Sequence, residues 1–240
     1  GGFETAVEEI GWRLAERGHE VIVYSRNPGQ TLTEYRGMKV VNLPAVRSKS
    51  LETLSHSGIS TARAIIKDRP DVAFVFNSAN APYIPLLKAA KIPVEVHVDG
   101  LEASRAKWEG WGAKYYGWAE PKAVKWADAV IADAVGIQDH VREQYGRESV
   151  FIPYGAPEPR TSTEAISRAG IKPKSYILIV ARFAPENHIV EAIQGFSASQ
   201  SEHRLIVVGA APYDDEYVKR INDLAKLDPR ITMLGHINDQ

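Results

Sequence analysis

Val94-Glu95-Val96-His97-Val98, followed at once by Asp99-Gly100-Leu101-Glu102-Ala103-Ser104-Arg105-Ala106-Lys107-Trp108, is the stretch that decides the fold. The short apolar run reads as a strand, and the residues after it crowd acidic, basic and aromatic side chains into a loop at the strand's end. Open α/β sheets bind their ligands at that end, so His97, Asp99 and Glu102 are the first candidate site residues.

Working outward, the same pattern recurs. Val7, Ile10, Gly11, Leu14 and Ala15 fall at i, i+3, i+4, i+7 and i+8, which predicts an amphipathic helix over 4–17 closed by Gly18. A strand over 21–24, a helix around 51–67, a strand over 71–76 and a helix around 82–90 lead up to the strand over 94–98. Beyond it come a Trp-rich helical stretch, a strand over 129–132, a helix over 137–145 and a strand over 149–152. Residues 155–165 carry two prolines, small polar residues and no periodicity, the composition of a linker. The alternation then resumes with strands over 176–181, 204–208 and 231–234 and helices over 186–199 and 214–227.

Strands spaced by helices imply right-handed parallel crossovers. The expected fold class is α/β, with two facing Rossmann-like, doubly wound domains, 1–155 and 156–240, and a ligand in the cleft between them. Such a sheet is expected to have a strand ahead of Gly1 and more strands beyond Gln240. The very first strand and the second domain therefore read as truncated.

Composition narrows the classes. At 240 residues and 44% hydrophobic, the chain has apolar material for two cores. With 29 basic and 30 acidic residues it has no global field to hold nucleic acid. The absence of cysteine excludes disulfides and thiolate metal sites and fits a reducing compartment. No apolar run approaches the roughly 18 to 20 residues that span a bilayer, and no signal-peptide pattern opens the stretch. The expected location is the cytoplasm, with the inner face of the plasma membrane as a place of contact.

Each motif admits a functional and a plain reading. Gly1-Gly2 before a helix offers free backbone amides and a helix-dipole end to a phosphate, or simply a tight turn. His97 can donate to a sugar hydroxyl or move a proton, or it is a half-buried structural histidine. Glu102 and Arg105, three apart, suit a surface ion pair. Arg182, after the first strand of the second unit, can fork two hydrogen bonds to a diphosphate or stand as a surface charge. Gly209, after the next strand, falls on the same side of that unit. Trp108, Trp111, Trp118 and Trp126, interleaved with Lys107, Lys114, Lys122 and Lys125, suit a membrane surface or a packed helical hairpin. A second basic stretch, with six Lys or Arg against one acid, lies between Arg36 and Lys67.

What is missing also selects. There is no phosphate-binding Gly-x-x-x-x-Gly-Lys-Ser/Thr, no Gly-x-Gly-x-x-Gly, no Gly-x-Ser-x-Gly and no His-Glu-x-x-His. The one Tyr-x-x-x-Lys, Tyr35 to Lys39, contains Gly37 in a turn-like region, which argues against a nucleotide-sugar epimerase or dehydrogenase. Without an Asp-x-Asp clamp, no metal and no cofactor are expected.

Gly1-Gly2-Phe3-Glu4-Thr5, Leu43-Pro44-Ala45-Val46-Arg47-Ser48-Lys49, Leu51-Glu52-Thr53-Leu54-Ser55-His56, His97-Val98-Asp99-Gly100-Leu101-Glu102, Arg105-Ala106-Lys107-Trp108 and Ile152-Pro153-Tyr154-Gly155-Ala156 occur in this order. Together they resemble the rhamnosyltransferase-like branch of the retaining GT-B glycosyltransferases, glycosyltransferase family four. The resemblance implies GT-B architecture, a nucleotide-sugar donor held mainly by the second domain and an acceptor held by the first. It implies that the Gly1-Gly2 loop lies near the donor phosphates, His97 near the transferred sugar, and Arg182 on the diphosphate. Asn187 stands where the family's lysine is expected, five positions after the arginine. The paired-glutamate segment that binds donor sugar and ribose is expected after the last strand.

The implied function is transfer of a hexose or deoxyhexose from a nucleotide diphosphate sugar to a glycan or lipid-linked acceptor in envelope or exopolysaccharide synthesis. His97, Asp99 and Glu102 would orient the sugar or acceptor, and Gly1, Gly2, Arg182, Asn187 and Gly209 would hold the donor. The alternative is a non-catalytic, glycosyltransferase-like scaffold of a polysaccharide assembly system.

Overall fold

Val94, Val96 and Val98 are fully buried in the middle of a parallel sheet, and that burial organises the first half of the molecule. Each contributes about 1.5–3 kcal/mol of transfer free energy. The computed structural model describes residues 2–26, 29, 31–46, 51–98, 111–155, 172, 174–211 and 215–237. The chain divides into two compact units, Gly1–Ala156 and Pro157–Gln240.

The first unit opens with helix α1 (Gly2–Glu16) and strand β1 (Ile22–Ser25). Strands β2 (Glu34–Tyr35) and β3 (Met38–Asn42) follow, then helix α2 (Glu52–Arg63), which runs into a π-helical turn at Ala64–Asp68. Next come β4 (Ala73–Phe76), a 3₁₀ segment at Ser78–Tyr83, α3 (Ile84–Ala89), β5 (Val94–Val98) and α4 (Trp111–Trp126). Strand β6 (Ala129–Ala132), helix α5 (Val135–Tyr145) and strand β7 (Val150–Phe151) close the unit. Strands β4, β5, β6 and β7 lie side by side, all parallel, as the helix–strand alternation predicts.

Ala119 and Ala123 of α4, both fully buried, bring that helix close to the core formed by β5, Ile84, Leu87 and Val141. The guanidinium of Arg147 closes the carboxyl end of α4, donating to the carbonyls of Ala127 at 2.7 Å and Asp128 at 3.0 Å. A cation there also suits the helix dipole.

One part of the first unit departs from the expected alternation. β2 and β3 form an antiparallel hairpin, and β3 also pairs in parallel with β1. The turn is Arg36-Gly37, with φ of 48° and 78°. Two consecutive positive φ values define the mirror-image turn that matches strand twist in a two-residue hairpin, and glycine at the second place makes it accessible. β2 has only two residues, too few for a periodicity to register. Across this sheet α1 sits close, since a Cβ at Gly11 would overlap the sulfur of Met38.

Tyr24 links β1 to the main core, where its ring packs, while its hydroxyl donates to Asp68 at 3.1 Å. Asp68 also accepts from Arg63 at 3.0 Å and Lys39 at 3.3 Å. Burial alone would raise the Asp68 carboxyl, but the hydrogen bonds from Arg63, Tyr24 and Lys39 outweigh it and hold the group below the usual carboxylate range.

The second unit comprises β8 (Tyr176–Val180), a 3₁₀ turn at Pro185–Asn187, α6 (Ile189–Ala198), β9 (Arg204–Val208), α7 (Asp215–Ala225) and β10 (Ile231–Gly235). The strands are parallel in the order β10, β9, β8. Ile189, Ile193, Leu205, Val207 and Ile221 make the core. β8 is apolar along both faces yet lies at the sheet edge, with Val180 68% exposed. The expected helix over 186–199 is interrupted at His188, whose left-handed backbone, φ 51°, separates the 3₁₀ turn from α6.

Candidate functional site

In the first unit the candidate residues gather at the carboxyl ends of β4, β5 and β7. His97 is the fourth residue of β5, in register with Phe76 of β4 and Ile131 of β6. Its neighbours on either side along the strand, Val96 and Val98, anchor the backbone, and the imidazole itself is only 5% exposed.

The ring of His97 lies 5.3 Å from that of Phe76 and 5.4 Å from that of Tyr154. Phe3, at the start of α1, meets Phe76 edge-on at 5.0 Å. Four rings drawn from four separate parts of the sequence therefore form one row. Its outer members are open to solvent, Phe3 at 38% and Tyr154 at 42%.

Beside the row runs the turn after β4. Asn77 adopts φ 73°, and its side-chain oxygen accepts from the amide of Ala79 at 2.9 Å. Asn80 is buried; its Nδ2 donates to the carbonyl of Phe76 at 2.8 Å, while its Oδ1 has no hydrogen-bond partner among the described residues. Tyr115 of α4 donates to the carbonyl of Ala79 at 2.7 Å, which locks the turn from outside. Burial pushes the Tyr115 hydroxyl up to about 12, so it stays a donor throughout the accessible pH range.

Gly2 opens α1, beside Phe3, so the structure brings the helix start and His97 to one side of the sheet. Gly1, Asp99 and Glu102 lie outside the described residues, as do Arg105, Lys107 and Trp108. The sequence reading did not single out Phe3, Phe76 or Tyr154 as a group. The available signal was that each is an aromatic at a strand end or helix start, two of them next to glycine.

In the second unit Arg182 lies two residues beyond β8. Phe183 is buried and ties its amide to the carbonyl of Ala210 at 3.1 Å. Arg182 itself is exposed, and its guanidinium has no hydrogen-bond or ion-pair partner among the described residues. Asn187 is exposed, but its amide nitrogen is engaged by its own turn. Its Nδ2 donates to the carbonyl oxygen of Arg182 at 2.8 Å, and the same oxygen accepts from the amide of Ala184 at 2.9 Å. Gly209 is adjacent: a Cβ there would run into the carbonyl oxygen of Ala181. The Gly209 amide donates to the carbonyl of Gly235 at 2.9 Å. Its role in this structure is close approach between the turns that follow β8 and β9 rather than a free amide.

The Trp- and Lys-rich segment is a single helix over the described part, α4, not a helical hairpin. Trp126 packs against the core, whereas Trp111 is 86% exposed and Trp118 44%. Lys114 lies over the Trp111 ring at 5.5 Å. Glu120, the one acid in the helix, is buried and accepts from Tyr145 at 2.7 Å and pairs with His140 at 2.8 Å. Among the described residues no helix is long and apolar enough to cross a membrane, and no group of three His, Asp or Glu gathers as a metal site requires.

Residues 1–155 match the family described as "Glycosyl transferase 4-like domain". Among solved structures, a sucrose-phosphate synthase from Thermosynechococcus elongatus is similar over 99% of this chain at 18% identity, with a TM-score of 0.81. The Anabaena protein HepE in complex with UDP is similar over 99% at 19% identity, TM-score 0.66. A glycosyltransferase from Rickettsia africae is similar over the whole chain at 16% identity, TM-score 0.67. In all three cases the chain spans 66% of the other protein's length. These likenesses show the GT-B fold. No curated protein sequence matches this chain.

Proposed function

We propose that this chain, which belongs to the glycosyl transferase 4-like family, is the greater part of an enzyme that moves a hexose or deoxyhexose from a nucleotide diphosphate sugar to a glycan or lipid-linked acceptor. The observation that carries the proposal is Arg182. An exposed guanidinium without a partner among the described residues, on a turn fixed by Phe183 and Asn187, supports this reading, because such a group can fork two hydrogen bonds to a diphosphate. HepE, solved with UDP, has the same fold and supports a nucleotide-sugar donor.

Glycosyl transfer passes through an oxocarbenium-like transition state, and the protein supplies position and a counter-charge for the leaving diphosphate. In this reading Arg182 and the helix start at Gly1 and Gly2 stabilise that charge. Gly209 and Asn187 shape and brace the Arg182 turn. His97, with Asp99 and Glu102, orients sugar and acceptor. No metal or cofactor has a part in it. Retention of configuration, a rhamnosyl-type donor, envelope or exopolysaccharide synthesis and a cytoplasmic site belong to the same reading. The exposed Trp111 and Lys114 on α4 favour contact with a membrane that carries the acceptor.

The test is thermal-shift binding of UDP, GDP, dTDP and ADP to the protein and to Arg182→Ala. The expected result is a shift with one nucleotide that the substitution abolishes. No shift with any of the four sinks the donor site and leaves the non-catalytic scaffold as the better reading.

A further inference from the structure

The turn after β4 is strained, and a side chain from a distant helix holds it. Asn77 adopts φ 73° and ψ 129°. That lies well outside the left-handed well, with ψ of roughly +30 to +60°, that asparagine visits readily. A residue keeps such a conformation only where its surroundings fix it. Within the segment, Asn77 Oδ1 accepts from the Ala79 amide at 2.9 Å, and the Asn80 amide donates to the Asn77 carbonyl at 3.2 Å. Among the described residues, the only side chain from outside 77–83 that hydrogen-bonds this turn is that of Tyr115 on α4, whose hydroxyl donates to the Ala79 carbonyl at 2.7 Å.

The turn also sets two strand ends. The Asn77 amide donates to the carbonyl oxygen of His97 at 3.2 Å, and Asn80 Nδ2 donates to that of Phe76 at 2.8 Å. Phe76 and His97 are partners in the register of β4 and β5, with their rings 5.3 Å apart. If Asn77 relaxed, the His97 peptide would lose its partner and the imidazole would be re-aimed with it. Helix α4, by contrast, does not need the Tyr115 hydroxyl. Ala119, Ala123 and Val124 seat it in the core, Arg147 closes its carboxyl end, and the Tyr115 ring packs on the same core beside Trp118 at 5.9 Å. The hydroxyl therefore serves the turn.

We propose that Tyr115 is a positioning residue for His97, acting through Ala79 and Asn77 on the backbone that carries the imidazole. The inference rests on the reading that gives His97 a part in glycosyl transfer. Its chain of bonds lies wholly in the first unit and involves neither Arg182 nor a nucleotide.

The experiment is NMR on the full 240-residue chain, following two signals: the Cε1–Hε1 resonance of His97, assigned by its loss in His97→Gln, and hydrogen exchange at the Asn77 amide. Tyr115→Phe keeps the packed ring and removes the hydroxyl. It should displace the His97 resonance and speed Asn77 exchange roughly three- to ten-fold, the worth of one hydrogen bond. Exchange at Val130, buried in β6, should stay as in the native chain. Tyr83→Phe is the control, since Tyr83 lies on the same segment but donates to the Leu54 carbonyl, at 2.6 Å; it should leave both signals unchanged. Tyr115→Met, which keeps apolar bulk without the hydroxyl, takes the place of Tyr115→Phe if that variant does not fold. A His97 resonance that stays still, unchanged Asn77 exchange, the same changes in Tyr83→Phe, or exchange that rises equally at Val130 would each overturn the proposal. A His97 resonance that moves while no nucleotide binds upholds it and removes only the transferase reading. One that stays still while a nucleotide binds overturns it and leaves that reading in place.

Discussion

Asn187 donates its carboxamide N–H to the carbonyl oxygen of Arg182 across 2.8 Å, from the far end of the same turn. A lysine at this place would bring a second cation to a diphosphate. The asparagine instead fixes the backbone that carries Arg182.

It follows that Asn187→Ala should weaken nucleotide diphosphate binding without abolishing it. Loss of one such hydrogen bond is worth about 0.5–1.5 kcal/mol, or roughly three- to ten-fold in Kd. Titration calorimetry on Asn187→Ala, Arg182→Ala and the double variant checks this. If Asn187 acts through Arg182, the double variant binds no worse than Arg182→Ala alone. Additive losses would mean that Asn187 touches the ligand directly.

Gly209 has a steric reason to be glycine. Beyond the overlap with the Ala181 carbonyl, an added Cβ would lie 2.8 Å from Cε1 of Phe183, the buried ring next to Arg182. Gly209→Ala should therefore destabilise the second unit by about 1–3 kcal/mol, as overpacking does. Denaturant unfolding followed by far-ultraviolet dichroism measures it. An unchanged midpoint would mean that the two turns separate freely, and the brace on Arg182 would lose its basis.

These residues also mark how far the sequence could be read. The helix at Gly2–Glu16 and the strands at Val94–Val98 and Arg204–Val208 were legible because their apolar periodicity is strong, although in the helix Ile10, on the face the pattern marks as apolar, is exposed and Ala6 is buried. The hairpin through Arg36-Gly37 was not, since a two-residue strand has no period and its turn was recognisable only as a turn. At the candidate sites, Arg182 and His97 stood out as single polar residues at strand ends. The ring row did not, because Phe3 and Tyr154 are 151 positions apart, and only the parallel order of β4 and β5 brings their neighbours Phe76 and His97 together. Asn187 is legible only as a departure from the lysine that the family resemblance implies; its bond to Arg182 depends on a 3₁₀ turn that periodicity extends into α6.

His56 gives the fold a dependence on pH. It is buried on α2, its Nε2 has no hydrogen-bond partner among the described residues, and burial is the main cause of its depressed pKa, with the charge of Arg26 acting the same way. The backbone of Ser25 and the carboxylate of Glu52 oppose that shift without reversing it. With the folded pKa below the unfolded one, the unfolded chain binds the proton more readily. Stability is then full above about pH 6.5 and declines as pH falls below that value toward the folded pKa. Thermal unfolding between pH 5 and 8 should give a falling Tm on the acid side, and His56→Gln should flatten that slope. A slope unchanged by the substitution would assign it to other groups.

The outward face of α4 carries exposed indoles and cations. Trp111 and Trp118 are exposed, Lys114 and Lys125 share that side of the helix, and the helix's one carboxylate, Glu120, is buried in bonds to His140 and Tyr145. A face with cations, indoles and no exposed acid matches an anionic lipid surface, where indole rings settle at the headgroup level and each lysine adds about 1 kcal/mol. Sedimentation with vesicles of phosphatidylglycerol and phosphatidylcholine should carry the protein down, and pure phosphatidylcholine should not. Lys114→Glu with Lys125→Glu should lower the partition at least ten-fold, and raised salt should lower it for the native chain, since surface charges are screened. Trp111→Ala should reduce it while leaving the salt dependence in place. Equal binding to both vesicle types, or none to either, would return α4 to an ordinary solvated helix and leave the acceptor to be met in solution.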